Sequence, residues 1–132
     1  RGRPAEEGGE GVILVDSSVW IDHLRRREAR LARLLEEDMA LTHPWILGEL
    51  ALGSMANRER ILGLLGRLPN IRPAADEAIR ELIETERLYG RGIGWVDAGL
   101  LASCRARQCR LWSRDKRLAA LARELGLGID AD

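Results

Sequence analysis

The sequence predicts an α/β fold built on a mostly parallel sheet, and three observations carry that reading. Short apolar runs without polar alternation, VILVD (12–16), MALTH (39–43) and RLWS (110–113), suit strands buried on both faces, the usual state of a parallel sheet. Segments with leucine or isoleucine at helical spacing separate them. Acids fall where the first and last of these runs pass into helices, and open α/β sheets place their sites beyond the carboxyl ends of strands.

Residues 1–11, RGRPAEEGGEG, are polar, glycine-rich and patternless. They read as a flexible tail, and the domain as residues 12–132. After VILVD, Ser17 or Ser18 caps a helix to about Leu24. Leu31, Leu34 and Leu35 define a second helix within EARLARLLEED (28–38). MALTH follows as the second strand. Pro44 fits the first turn of a helix running to about Ser54. Asn57 caps another, with Ile61, Leu64, Leu65 and Leu68 on one face. NIRP (70–73) is a short strand candidate. A long helix over 74–89 turns Ile79, Leu82 and Ile83 inward. GRGIG (90–94) is a loop, and Asp97 then stands at an N-cap position, with Val96 and Leu101 spaced as a hydrophobic staple. That helix carries Leu100, Leu101 and Cys104. After RLWS, Asp115 opens the last helix, with Leu118, Leu121 and Leu125 inward and Gly126 at its end. LGID (127–130) reads as a final edge strand.

A chain of 132 residues suggests one domain with a real core. Its 21 basic and 21 acidic residues cancel, which argues against a strongly electrostatic nucleic-acid binder but leaves room for basic patches around an acidic pocket. Lys116 is the sole lysine; every other basic side chain is arginine. Cys104 and Cys109 are too few for a disulfide framework, and with His23 and His43 they form no zinc signature, so they read as reduced thiols. No apolar run suits a membrane span and no secretory signal is visible, so a cytoplasmic, non-membrane protein is expected.

The most informative pattern is three isolated acids. Asp16 is the only charge in GVILVDSSVWI, Glu49 the only one from Met39 to Asn57, and Asp97 the only one in GIGWVDAGLLASC. A carboxylate in low-dielectric surroundings needs a cation, several N–H donors or a metal. No Lys or Arg lies in these segments, and one shared divalent ion would answer all three. Asp16, Asp97 and Asp115 each have the alternative of capping a helix. Glu49, in mid-helix between Trp45 and Leu52 on an apolar face, has no capping role; its alternative is a distant arginine. Asp22, Glu36, Glu37 and Asp38 read as solvated charges. Converging carboxylates without a neighbouring nucleophile suit Mg²⁺ or Mn²⁺ and metal-assisted phosphodiester hydrolysis.

The ordered blocks VILVDSSVWIDHL, LGELALGS, IGWVDAGLLASC and LWSRDKRL resemble the PIN-domain ribonucleases, and within them the VapC toxins of bacterial toxin–antitoxin pairs. The resemblance runs from Val12 to the C-terminus. It implies a PIN-like α/β/α sandwich with a central, mostly parallel sheet and a pocket for Mg²⁺ or Mn²⁺. Carried over by position, the metal-site and catalytic acids are Asp16, Glu49, Asp97 and Asp115. Ser17 and Ser113 match places where the family often has a hydroxyl near the metal or phosphate. The resemblance also implies endoribonuclease activity, on structured RNAs such as tRNA or ribosomal RNA in several members. It implies a VapB-type antitoxin partner, whose C-terminal segment wraps the toxin, and a homodimer. Two positions depart from the pattern. Gly99 stands where His is common, and Arg117 where a second acid or Asn is common, which bears on a second metal site.

The leading expectation is a metal-dependent endoribonuclease toxin that leaves 5′-phosphate and 3′-hydroxyl ends. The alternatives are a PIN nuclease of RNA maturation and a catalytically weak domain that grips RNA or protein. A phosphoacceptor signalling domain would need paired acids after the first strand, where this chain has Asp16-Ser17-Ser18. Arg114, Lys116, Arg91 and Arg25 to Arg27 are candidate phosphate contacts or ordinary surface charge. Trp20, Trp45, Trp95 and Trp112 each lie near one acid and could stack on bases or pack the core. Trp20 and Leu24, with the Leu31, Leu34 and Leu35 face, are candidates for an antitoxin groove or for helix packing.

Overall fold

The computed structural model describes residues 11–130, so the expected tail lies outside the described residues except for Gly11. Three parallel strands form the sheet: β1 (Ile13–Val15) in the centre, β2 (Ala40–Leu41) on one side and β3 (Arg110–Trp112) on the other. Leu14 faces Leu41 across one ladder and Leu111 across the other. Successive side chains of a strand point to opposite faces. Ile13, Leu14 and Val15 are all fully buried, so both faces of the sheet are covered, as a sandwich requires.

The seven helices among the described residues are α1 (Ser17–Arg25), α2 (Ala29–Glu36), α3 (Pro44–Leu52), α4 (Arg58–Leu65), α5 (Asp76–Thr85), α6 (Trp95–Arg107) and α7 (Lys116–Glu124). Leu31 and Leu34 of α2, Ile79 and Leu82 of α5, Leu100 and Leu101 of α6, and Leu118 and Leu121 of α7 are buried in one core with the strands. No helix among the described residues is long and apolar enough to cross a membrane.

Two expected strands shrink to single parallel bridges. NIRP contributes only Asn70, opposite Thr42, and prolines 69 and 73, which lack N–H donors, flank the segment. LGID contributes only Gly128, opposite Leu111. A Cβ at Gly128 would stand 2.7 Å from the backbone nitrogen of Arg123, so the end of α7 lies against this edge. The helix over 74–89 is shorter than expected because Arg87 turns left-handed (φ 56°) and Leu88 N–H bonds back to Ile83 O. Asp38, Gln108 and Gly126 end α2, α6 and α7 in the same left-handed way. Asn57 precedes α4 with φ 59° and makes no side-chain cap bond, contrary to its expected role. Leu52 is 90% exposed, so the apolar face proposed around Glu49 does not extend to it.

His43, fully buried, joins α3, α6 and the strand that precedes it. Its Nδ1 accepts the Trp45 N–H at 3.0 Å, capping α3. The ring proton therefore sits on Nε2 and is donated to Ser103 Oγ at 3.2 Å. Ser103 in turn donates to Gly99 O and accepts the Ala74 N–H. The cluster is satisfied only with a neutral ring, and burial lowers the His43 pKa to about 4. A depressed histidine pKa leaves stability intact above pH 6.5 and removes it as the pH falls toward 4, where the unfolded chain gains a proton first. Urea unfolding at pH 7 and pH 5 is expected to show a fall of about 2 kcal/mol that is absent from His43→Gln, with the same pH slope in both proteins as the contrary result.

Candidate metal centre

Asp16 follows the last residue of β1, and its N–H bonds to Trp112 O at 2.9 Å, extending the ladder between β1 and β3. It occupies the N-cap position of α1, but its side chain makes no cap bond. Two hydroxyls hold its Oδ2 instead: Ser113 donates at 2.8 Å and Ser18 at 3.2 Å. Each hydroxyl also accepts a backbone N–H from the turn after β3, Ser113 from Asp115 at 3.0 Å and Ser18 from Arg114 at 2.9 Å. Asp16 is thus buried, oriented and tied to the turn that delivers Asp115.

Asp115 realises its cap role. Its Oδ1 accepts the N–H groups of Arg117 and Leu118 at 3.0 and 3.1 Å, and the side chain is exposed. Glu49, on α3, accepts a bond from Ser17 Oγ on Oε1 at 3.1 Å. Asp97 departs from the expected cap. Gly94 caps α6, so Asp97 lies in the first turn and a backbone bond from Gly94 reaches its carboxyl. Gly94 already has the extended backbone of a cap (φ −102°, ψ −177°), which starts the helix early. Val96 is then left 36% exposed, and the expected staple does not form.

Glu49 is an exposed residue, and partial desolvation of its carboxyl first, with the charges of Asp16 and Asp97 after it, pushes it above its ordinary pKa, while the Ser17 bond pulls the other way. Burial also raises Asp97, aided by Asp16 and Asp115 and opposed by the Gly94 bond. Glu49 thus feels Asp16 and Asp97, Asp97 feels Asp16 and Asp115, and no Lys or Arg relieves either raised carboxyl. Among the described residues, Asp16 Oδ1, Glu49 Oε2 and Asp115 Oδ2 accept no protein hydrogen bond. Each of these acids is anchored through one oxygen and has its other oxygen free of protein donors among the described residues. Hard carboxylate oxygens with mutual repulsion fit Mg²⁺ or Mn²⁺. As placed, no three His, Cys, Asp or Glu side chains among the described residues stand together closely enough to hold a metal ion.

The sequence reading missed Ser18, since two adjacent serines after a strand do not reveal which hydroxyl turns toward Asp16. It also missed how Gly99 is filled. A Cβ at Gly99 would collide with Cζ3 and Cη2 of Trp45, whose indole occupies the space that a larger side chain would take. Two candidate phosphate contacts are already engaged in ion pairs. Arg114 bonds Asp22 at 2.8 Å and Glu28 at 2.9 Å, and Arg91 bonds Glu124 at 2.8 Å. Of the candidate groove residues, Trp20, Leu31 and Leu34 belong to the core.

Because the folded state raises the pKa of Glu49 and Asp97, their charges weaken the metal-free protein at pH 7, and the penalty fades as the pH falls through the raised values. In EDTA at pH 7, Asp97→Asn and Glu49→Gln are expected to melt above wild type. The advantage should shrink toward pH 4, and lower melting temperatures in both variants would contradict this electrostatic account.

The PIN domain family model matches residues 13–124. Ribonuclease VapC32 of Mycobacterium tuberculosis is 46% identical over 119 residues, covering 89% of this chain and 96% of the relative. Two solved structures share the fold at lower identity. The complex FitAB bound to an IR36 DNA fragment has a TM-score of 0.59 at 18% identity, covering 85% of this chain and 91% of that chain. VapC20 of M. tuberculosis, described as a sarcin-ricin loop cleaving toxin, has a TM-score of 0.55 at 20% identity, covering 83% of this chain and 94% of that chain. The sheet, the order of the acidic blocks and these matches agree: the chain belongs to the PIN-domain family, as a VapC-type ribonuclease.

Proposed function

We propose that this ribonuclease is the toxin of a VapBC-type pair and hydrolyses structured RNA with Mg²⁺ or Mn²⁺ held by Asp16, Glu49, Asp97 and Asp115. The observation that carries the metal reading is that Glu49 and Asp97 feel neighbouring acids without a basic partner, with one oxygen of Asp16, Glu49 and Asp115 left without a protein donor. A divalent cation, when bound, supplies acidification of water and neutralisation of charge on the reacting phosphate. The protein's own part is positional. Ser18 and Ser113 orient Asp16, Ser17 orients Glu49, and the first turn of α7 orients Asp115. In-line attack by water then leaves a 5′-phosphate and a 3′-hydroxyl, with no role for the RNA 2′-hydroxyl.

A groove of about 380 Å³ between α1 and the C-terminal end of α3 is lined by Ile21, Leu24, Leu50 and Met55 and reaches Glu49. An amphipathic antitoxin segment with a basic residue would lay its apolar face there and set its charge against the acids. Of the residues expected to form a groove, Leu24 lines this one, while Trp20, Leu31 and Leu34 lie in the core. The protein is taken to work in the cytoplasm as a homodimer, and the exposed Leu52 and Leu64 of the adjoining α3 and α4 offer apolar area for self-association.

Purified protein is to be incubated with total cellular RNA and Mg²⁺ or Mn²⁺, and the new 5′ ends sequenced. Discrete cuts with 5′-phosphate ends are expected, abolished by EDTA and reduced at least about 100-fold in Asp97→Asn. Cleavage equal in wild type and Asp97→Asn would refute the site. RNA binding without cleavage would favour a binding domain.

A further inference from the structure

Cys104 and Cys109 are the two thiols of the chain, and the metal-assisted chemistry uses neither. The way α6 ends brings them together. Gln108 is left-handed (φ 63°), its N–H bonds to Arg105 O at 3.3 Å, and the Cys109 N–H bonds to Cys104 O at 3.0 Å. These are the paired bonds of a Schellman ending, which sets the side chains at its two ends against each other. Apolar residues commonly fill those two positions; here both are cysteine. The 3.0 Å bond keeps the two Cα atoms within about 7 Å, the limit for a disulfide without backbone movement. The side chains meet as well, since the Cys104 thiol donates to the Cys109 sulfur.

The two sulfurs are not equivalent. That hydrogen bond, with burial after it, holds the Cys104 thiol well above its ordinary pKa. The same bond draws Cys109 below, against burial and with help from the Arg107 charge. Cys109 is therefore the better thiolate, and the thiolate is the form that attacks. Cys104 is fully buried, whereas Cys109 is 4% exposed and follows a turn, Arg105 to Gln108, whose residues are all exposed. Helix ends open more readily than the core they cover, and hydrogen peroxide is scarcely larger than a water molecule.

We propose that Cys104 and Cys109 are a peroxide-responsive dithiol that closes to a reversible disulfide across the end of α6. The Cys109 thiolate attacks one peroxide oxygen and the O–O bond breaks, which leaves a sulfenic acid on Cys109 and releases hydroxide, protonated to water. The Cys104 sulfur then attacks the Cys109 sulfur, the S–OH bond breaks, and the hydroxyl leaves as water with the Cys104 proton. The dithiol loses two electrons, the peroxide gains them, and a thiol reductant reverses the change. The bridge ties the end of α6 to the start of β3. Asp97 lies about 10 Å back along the axis of α6, so the bridge does not touch the acids. A ring closed in its native geometry restricts the unfolded chain, so the oxidised protein is the more stable form.

Folded wild type is to be treated with hydrogen peroxide, alkylated, and digested with trypsin, which cuts after Arg105 and Arg107. The bridge should appear as peptides 92–105 and 108–110 joined, about 2 Da lighter than the two free peptides together, and should disappear on reduction. The oxidised protein is expected to melt about 5 °C above the same sample after reduction by dithiothreitol. In Cys104→Ser, Cys109 is expected to stop at the sulfenic acid and be trapped by dimedone, whereas Cys104 in Cys109→Ser stays reduced. Native wild type that keeps both thiols under peroxide while unfolded protein loses them would overturn the proposal. So would bridges that form only between chains, or an oxidised form that melts no higher than the reduced one. Equal oxidation of the remaining thiol in the two variants would overturn it as well, because the sulfurs would then be independent.

Discussion

The last bond between β1 and β3, from Asp16 N–H to Trp112 O, places two chain exits side by side. From one exit come Asp16, Ser17 and Ser18; from the other come Ser113, Arg114 and Asp115. The hydroxyls of Ser18 and Ser113 then stitch the exits together, each donating to the Asp16 carboxylate and accepting an N–H from the opposite turn. Arg114 extends the seam by pairing with Asp22 on α1 and with Glu28 beyond it. Parallel strands make this possible, because both exits lie at the same edge of the sheet. The helices α3 and α6 need only bring Glu49 and Asp97 to a location that the strands have already defined.

That location is electrostatically unfavourable without a ligand. The protein places carboxylates within each other's field and gives neither Glu49 nor Asp97 a basic partner. Arg114, in the turn that precedes Asp115, is engaged with Asp22 and Glu28 instead. Such local conflict is what a binding site shows when its missing partner is not part of the chain. Stability is supplied elsewhere, by the apolar sheet and by the neutral His43 cluster behind α3 and α6.

Asp16 and Asp115 were legible because strand ends are the strongest signal in the sequence, and both stand where a β-branched or apolar run stops. Glu49 was legible because a charge in mid-helix among apolar residues has no local use. Asp97 was legible as an isolated charge, but its place in the helix was not, since the extended backbone of Gly94 is not visible in residue types. Whether Ser18 or Ser17 would face Asp16 depends on the turn, and each serves a different acid. The Trp45–Gly99 fit joins distant parts of the chain, so only the folded packing shows that an indole fills the space beside that glycine. The two outer strands were over-read because close packing at Gly128 and flanking prolines around Asn70 limit pairing more than their composition suggests.

The central claim is that the acids at this sheet edge form one divalent-cation site. Manganese binding, followed by loss of the free Mn²⁺ resonance at pH 7, tests it most directly. The account predicts that wild type depletes the signal, that binding weakens as the pH falls and the raised carboxyls of Glu49 and Asp97 protonate, and that Asp16→Asn and Asp97→Asn each abolish it. Equal Mn²⁺ binding by wild type and a folded Asp16→Asn, Asp97→Asn double variant would contradict it.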